Sequence, residues 1–409
     1  MATQPPADRK LMRDINQNTL LNLIRVHAPV SRPQLAALSG LSMATVLGLT
    51  NDLVERRFVQ ESGPAESTGG RKATLLQLRA NGGFAVGLMV RGFMTIGVIV
   101  NLQGDVVFSE HWEITLRHEG ARGIDLLVEC VRQLLQHAEL PEDRIIGVGC
   151  ALSGYINAQA GLCVDSWNLD WHHVEVSQPM SERLNIPVFI ANDISCIATY
   201  EKLFGRGNAY HHFLTVSLGR GLGLGIVIND EVYRGSKGGG GEFGHTVAVP
   251  GGRLCECGKQ GCLEEYASFR GIMANYREHP GSLVLETTHT PPDQVVQHEE
   301  ETIRALFEAA EHGDEAARAA FQRSGELLGI GLANLVNLFN PECIVITSEA
   351  AFIWPLLFGS MESALRQYTF SELAQDLRID IGPPLSFENG ARGAGAIVLD
   401  RFFSSPARL

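Results

Sequence analysis

Apolar residues near the start of the chain recur at helical spacing. Over residues 16–28, NQNTLLNLIRVHA, Leu20, Leu21, Leu23 and Ile24 share one face, which predicts a helix that Pro29 ends. Ser31-Arg-Pro-Gln34 reads as a capping box with proline in the first turn, opening a short helix through Leu38. Ser39-Gly40-Leu41 is a tight turn, and Ser42 is placed to cap the next helix, MATVLGLTNDLVERRF. Helix, short glycine-bearing turn and helix make the helix-turn-helix pattern. The segment ESGPAESTGGRKATLLQL then reads as two short strands joined by a glycine-rich tip, a wing.

Past residue 80 the periodicity changes. Residues 84–109 alternate apolar strand, turn, strand, turn, strand, and residues 213–234 repeat the plan, each followed by helix-rich sequence. A duplicated β-β-β-α unit is the plan of the actin-like fold of sugar kinases and ATPases, two lobes with a cleft between them. The predicted fold class is therefore α/β: an N-terminal winged helix-turn-helix followed by a two-lobed actin-like body. Expected boundaries are 1–80 for the head, 81–190 for the first lobe, completed by 388–409, and 191–387 for the second. Residues 321–339, FQRSGELLGIGLANLVNLF, are expected to serve core and subunit packing together.

Composition narrows the class. At 409 residues, 45% apolar and 19% charged, the chain has material for two or three domains of an ordinary globular protein. Its start is polar, and no apolar run approaches the ~18 residues that span a bilayer, so a cytoplasmic protein is expected. The net charge of −13 is uneven: residues 1–80 carry ten Lys/Arg against six Asp/Glu, a net of +4, and the remainder a net of −17. A basic head on an acidic body suggests that the head meets a polyanion, and the helix-turn-helix pattern makes duplex DNA the expected partner. Within it, Ser42, Met43 and Thr45 open the second helix of the motif, where base edges are met. Arg32 is placed for phosphate, and Arg71 and Lys72 for the wing tip. The competing reading is a three-helix interaction or dimerisation module, because Arg, Gln and Asn are scarce at the start of that helix.

The strongest chemical motif is His245-x9-Cys255-x-Cys257-x4-Cys262, carried by a glycine-rich loop. Three thiolates and an imidazole are the ligands Zn²⁺ prefers, and four of them make a closed, structural site for one ion per chain. The plainer reading is that the cysteines are small buried hydrophobes, as Cys130, Cys150, Cys163, Cys196 and Cys343 are expected to be.

GEFGH at 241–245, PGG at 250–252, CECGKQGCLE at 255–264, AND at 191–193, WNLDW at 167–171 and SLGRGLGLGI at 217–226 together resemble the ROK family of repressors, open reading frames and sugar kinases. The head places the chain with that family's repressors. The resemblance implies that Asn168, Asn192, Asp193, Glu242, His245 and Glu264 hold a sugar or sugar derivative, with amide and carboxylate oxygens satisfying its hydroxyls. Local alternatives stand beside this: Asn192 and Asp193 are also placed to cap a helix, Glu242 and Glu264 to be solvated loop acids, and Asn168 to be a turn residue.

The nucleotide side departs from the family's kinases. Where they have Asp-x-Gly-Gly-Thr, this chain has Met89-Val90-Arg91-Gly92-Phe93. Their Gly-Thr-Gly is Gly219-Arg220-Gly221, and their Gly-Gly after a later strand is Thr347-Ser348-Glu349. The expectation is a sugar-responsive regulator, a repressor and not an enzyme, acting as a homodimer or homotetramer on operator DNA. The rivals are a kinase that retains ATP turnover and a regulator whose signal is a protein partner.

Overall fold

A computed structural model of the protein describes residues 9–64, 73–282, 295–382 and 384–404. The head contains helices α1 (Arg9–His27), α2 (Arg32–Ser39) and α3 (Met43–Glu55), and strands β1 (Val30–Ser31), β2 (Val59–Pro64) and β3 (Thr74–Leu78) in the order β1-β3-β2. Its helix ends follow local chemistry. Ser31 caps α2 in a full capping box with Gln34, Ser42 caps α3 through Thr45 N–H, and Gly40 ends α2 at φ 69°, a left-handed conformation that favours glycine. The axes of α2 and α3 diverge by 117°. Leu20, Leu21, Ile24, Leu35, Val46, Leu53 and Leu76 are fully buried and form the head's core.

The first lobe follows with β4 (Phe84–Val90), β5 (Thr95–Asn101), β6 (Val106–Trp112), α4 (Gly120–Ala138) and β7 (Ile145–Leu152). After β8 (Tyr155–Asn157), which belongs to the second unit, come β9 (Leu162–Ser166), β10 (Trp171–Glu175), α5 (Ser177–Leu184) and β11 (Val188–Asn192). The main sheet has the order β11-β7-β4-β5-β6. The second lobe is built from α6 (Asp193–Leu203), β12 (Phe213–Leu218), β13 (Leu222–Ile228), β14 (Glu231–Tyr233), α7 (Glu264–Ala267), α8 (Phe269–Glu278), α9 (Val295–Glu311), α10 (Glu315–Phe339), β15 (Cys343–Ser348), α11 (Trp354–Tyr368) and β16 (Arg378–Ile381). Its sheet runs β14-β13-β12-β15-β16, the same plan as the first: a three-stranded meander whose opening strand pairs in parallel with a later one. The duplication seen in the apolar pattern is thus present in the topology.

By its contacts the chain divides into two units, 1–154 with 160–191 and 391–409, and 155–159 with 192–390. In that division the head shares a unit with the first lobe. The reason lies in the last helix, α12 (Phe387–Ser404). Its middle is seated so closely on the sheet that a Cβ on Gly87 would overlap the carbonyl oxygen of Ala391, and one on Gly149 that of Ala394. Its end meets the head: Phe402 stacks edge-on against Phe58 with ring centroids 5.1 Å apart, and the Phe403 carbonyl accepts from Asn22. Arg144 adds hydrogen bonds to the Arg56 and Gly82 carbonyls at 3.1 and 3.2 Å.

In the second unit, α10 packs along α11, and Leu327, Leu328, Leu332 and Met361 are buried in one core with Ile344 and Ile346 of β15. Most of the apolar face of α10 is consumed by this core, while Leu338 near its end remains exposed. Among the described residues no single helix is long and apolar enough to cross a membrane.

Candidate functional site

The thiol and imidazole ligands converge. One ligand atom from each of His245, Cys255, Cys257 and Cys262 lies within 4.8 Å of all the others. A short antiparallel ribbon brings them together, with bridges between Val247 and Cys262 and between Leu254 and Gln260. The turn at its tip is tight: Cys255 N–H donates to Lys259 O at 2.7 Å, and Gly258 N–H to Cys255 O at 2.9 Å, with Gly258 at φ 81°. Cys257 and Cys262 Sγ are 3.6 Å apart, and Cys255 Sγ is 3.6 Å from His245 Nδ1. A tetrahedron with metal–sulfur bonds of ~2.3 Å has edges of about 3.8 Å, so the donor set and its spacing fit one tetrahedral ion. Lost hydration pushes the Cys255 and Cys262 thiols up. Cys257 shifts the other way: burial opposes it, but the Lys259 N–H, the neighbouring thiols and the Lys259 charge together prevail. Of the other cysteines, all five are buried, and Cys130, Cys150, Cys163 and Cys343 have thiols pushed up to about 12, chiefly by burial.

The same loop organises the acids. His245 turns Nδ1 toward the thiols and Nε2 toward Glu242, whose Oε2 is 3.9 Å away. The Glu242 carboxyl titrates above its ordinary range, first through lost hydration; His245 opposes the shift, and Asp193 and Glu264 reinforce it. Asp193, Glu242, His245 and Glu264 are therefore one electrostatic neighbourhood. Asn192 is the N-cap of α6, with Oδ1 accepting from Ile194 N–H at 3.0 Å, so the capping alternative is real at that position. Glu264 also braces the local backbone, since its Oε2 accepts from Leu222 N–H at 2.9 Å, and Oε1 lies 3.4 Å from Arg270. Asn168 belongs to the first unit, in the turn between β9 and β10, where a Cβ on Gly92 would stand 2.7 Å from its carbonyl oxygen.

The ribbon has an anchor that sequence reasoning passed over. Arg253 donates to both carboxylate oxygens of Glu278, at 2.8 and 2.6 Å, and to Asn275 Oδ1 and Glu265 O, while its guanidinium lies 4.4 Å from the Tyr266 ring centroid. The signal was one arginine following Pro250-Gly251-Gly252; its partners are 12 to 25 residues away.

Two of the departures on the nucleotide side meet in space. Arg220, in the turn between β12 and β13, donates from Nε to the buried Glu299 at 2.6 Å. The Glu349 carboxylate lies 2.9 Å from where a Cβ on Gly219 would stand.

In the head, Ser42 and Thr45 lie at the start of α3 with their hydroxyls 2.9 Å apart. Arg32, expected at the phosphates, lies along α3. Its Nε donates to Thr50 Oγ1 at 3.0 Å and its terminal nitrogen to Asn51 Oδ1 at 3.1 Å, with Glu61 3.5 Å away, which leaves its side chain 15% exposed. Arg71 and Lys72 lie outside the described residues.

Residues 97–401 match the model of the ROK family. The chain is 30% identical over 397 residues to the xylose repressor of Caldicellulosiruptor bescii, covering 97% of this chain and 98% of that protein. Among solved structures it is similar to a ROK family transcriptional regulator, a homologue of the E. coli Mlc protein, with a TM-score of 0.81 and 26% identity over 96% of this chain and 97% of that one. A ROK family glucokinase from Streptomyces griseus, solved with glucose and AMPPNP, shares the fold over 77% of this chain and 99% of its own, with a TM-score of 0.60 and 24% identity. With its family model matched across most of the chain and a relative aligned almost end to end, this protein belongs to the ROK family.

Proposed function

We propose that this chain is a sugar-responsive, DNA-binding transcriptional repressor whose sugar is held by the polar set around His245 and whose ATP site is degenerate. The observation that carries the reading is the division of labour on His245. Nδ1 faces three thiols and Nε2 faces Glu242, so a metal on one nitrogen fixes the ring that presents the other. Zn²⁺ suits the cluster: a sulfur-rich tetrahedral set disfavours Mg²⁺ and Ca²⁺, and all four positions are taken by protein, so the ion is structural. Glu242, Asp193 and Glu264 then supply carboxylates for sugar hydroxyls. Asn168 and Asn192 join that set by resemblance.

Loss of kinase chemistry follows from charge. ATP phosphates need glycine backbone and cations, and Gly219 is covered by the Glu349 carboxylate. Arg220, the cation in the same turn, is engaged by Glu299. A repressor with this architecture acts as a dimer on a pseudo-palindromic operator, and the sugar shifts occupancy to the extent that it binds two arrangements of the protein unequally.

The test is a thermal-shift screen of the full-length protein against pentoses, hexoses, amino sugars and their phosphates, with ATP-Mg²⁺ alongside. A ligand at 100 times its Kd adds ~2.7 kcal/mol. Stabilisation by a sugar, lost in Asp193→Ala and accompanied by a change in operator affinity, supports the reading. Silence from every sugar transfers the signal to a protein partner, and turnover of ATP restores the kinase.

A further inference from the structure

Between Ser42 and Asn51 the outward face of α3 is apolar. Met43 and Leu47, one turn apart, are each 48% exposed, and Ala44 and Gly48 lie exposed beside them. The polar groups nearby are already engaged. Ser42 accepts from Thr45 N–H and shares a hydrogen bond with the Thr45 hydroxyl, and the Asn51 side-chain carbonyl accepts from Arg32. A solvent-facing stripe of thioether, methyl and isobutyl groups on the second helix of a helix-turn-helix leaves few hydrogen-bonding groups for base edges.

Gly48 is the second, independent observation. It lies inside α3 at an ordinary helical φ, and a Cβ there would meet nothing within 4 Å. Packing within the protein does not require glycine at this position, and glycine is the poorest non-proline residue for a helix interior. A bare backbone one residue after Leu47 leaves room there for a group from outside the chain to come close.

Within the DNA-binding reading, on which this inference rests, we infer that α3 reads its half-site through thymine 5-methyl groups, with Met43, Ala44 and Leu47 as the reading side chains and Gly48 as the point of closest approach. The thymine methyl is the distinctive apolar group that base pairs present in the major groove. The head's net charge of +4 on an otherwise acidic chain favours a polyanion over an acidic or neutral protein as the occupant of this face. Base discrimination then comes from dispersion and dehydration, and orientation comes from backbone contacts elsewhere in the head.

The experiment begins by selecting high-affinity duplexes from a random pool with the full-length protein, then replacing each thymine of the selected half-site by deoxyuridine, which removes only the methyl. Each methyl that is read should be worth about four-fold in affinity, the value of one buried methyl group. Leu47→Ala and Met43→Ala should each abolish the thymine–uracil difference at their own position while leaving the rest of the site unchanged. Gly48→Ala should raise the melting temperature yet weaken binding to the selected duplex at least ten-fold. Failure to select any sequence overturns the DNA-binding reading itself. Selected duplexes that bind equally with uracil, or a thymine preference untouched by the variants, overturn only the methyl readout. A Gly48→Ala protein that binds DNA as well as the parent removes the close approach, and with unaltered binding by Leu47→Ala it reassigns the face to a protein partner.

Discussion

Nε of Arg220 stands 2.6 Å from Oε2 of Glu299, a carboxylate buried on α9. The arginine occupies the middle of a turn whose flanking glycines, in a nucleotide-binding relative, would let backbone approach phosphate. With its charge paired, and the Glu349 carboxylate against Gly219, the surroundings repel a polyanion. Millimolar ATP-Mg²⁺ should therefore produce no shift in melting temperature, and no ADP should accumulate in the presence of any sugar that does bind. A nucleotide-dependent shift with measurable turnover would show that these charges rearrange.

The ribbon that carries Cys255, Cys257 and Cys262 has little apolar packing at its tip, where Leu254 is 69% exposed. Its order should depend on the metal. Elemental analysis of the purified protein should find about one zinc per chain, and chelation should lower the melting temperature and open the ribbon to proteases. Cys257→Ser should lose the metal and more than ~3 kcal/mol, since loss of a bound metal is among the few changes of that size. Cys150→Ser, in the buried β7, should destabilise the fold yet keep the zinc, so metal content separates a ligand from a core thiol.

Features decided within a few residues were legible from sequence alone. The caps at Ser31 and Ser42, the helix-turn-helix they delimit, and the convergence of His245 with three cysteines all follow from short-range spacing. What spacing does not carry is pairing between distant segments. The intrachain partners of Arg32, namely Thr50, Asn51 and Glu61, lie 18 to 29 residues on and leave no mark in the local sequence. The attachment of the head to the first lobe includes Phe402 meeting Phe58 across most of the chain, a contact that no periodicity announces. The carboxylates of the candidate site were found by resemblance, but the structural duty of Glu264 toward Leu222 appears only in three dimensions.

Arg253 and Glu278 give a pH signature. The Arg253 hydrogen bond holds the Glu278 carboxyl below its ordinary value of 4.5, against a smaller opposing effect of lost hydration. A carboxyl depressed in the folded state contributes stability that is fully present above its unfolded value and is lost as pH falls through the folded one. Glu278→Gln should therefore melt earlier than the parent at neutral pH. The gap should close on acidification below about pH 4.5, once the parent's carboxylate is protonated as well. Because Glu278 is 63% exposed, the gap should be small, about a degree or two. A difference that persists unchanged at low pH would assign the effect to shape and not to charge.

The seat of α12 is the strictest steric demand in the first unit. β7 brings Gly149 beneath the helix, and a Cβ there would overlap the Ala394 carbonyl and press on Ile397 at 3.1 Å. Neither obstacle is the end of a flexible side chain: one is helix backbone and the other a buried branched residue. Gly149→Ala must therefore lift the helix, and lifting it also strains the Phe402–Phe58 contact at its far end. The expected cost is ~3 kcal/mol or more, at the upper end for overpacking a core. Part of it should appear as faster amide exchange in α1 and α3 of the head, although the substitution lies in the lobe. The mirror test is Phe402→Ala, which leaves the glycine seat of the helix intact and removes the ring that meets Phe58 at the head and Phe403 beside it. It should reproduce the exchange in the head with less loss in the lobe, whereas unchanged protection there would mean that other contacts, among them Arg144, Asn22 and the Arg25 guanidinium over Phe403, suffice to hold the head.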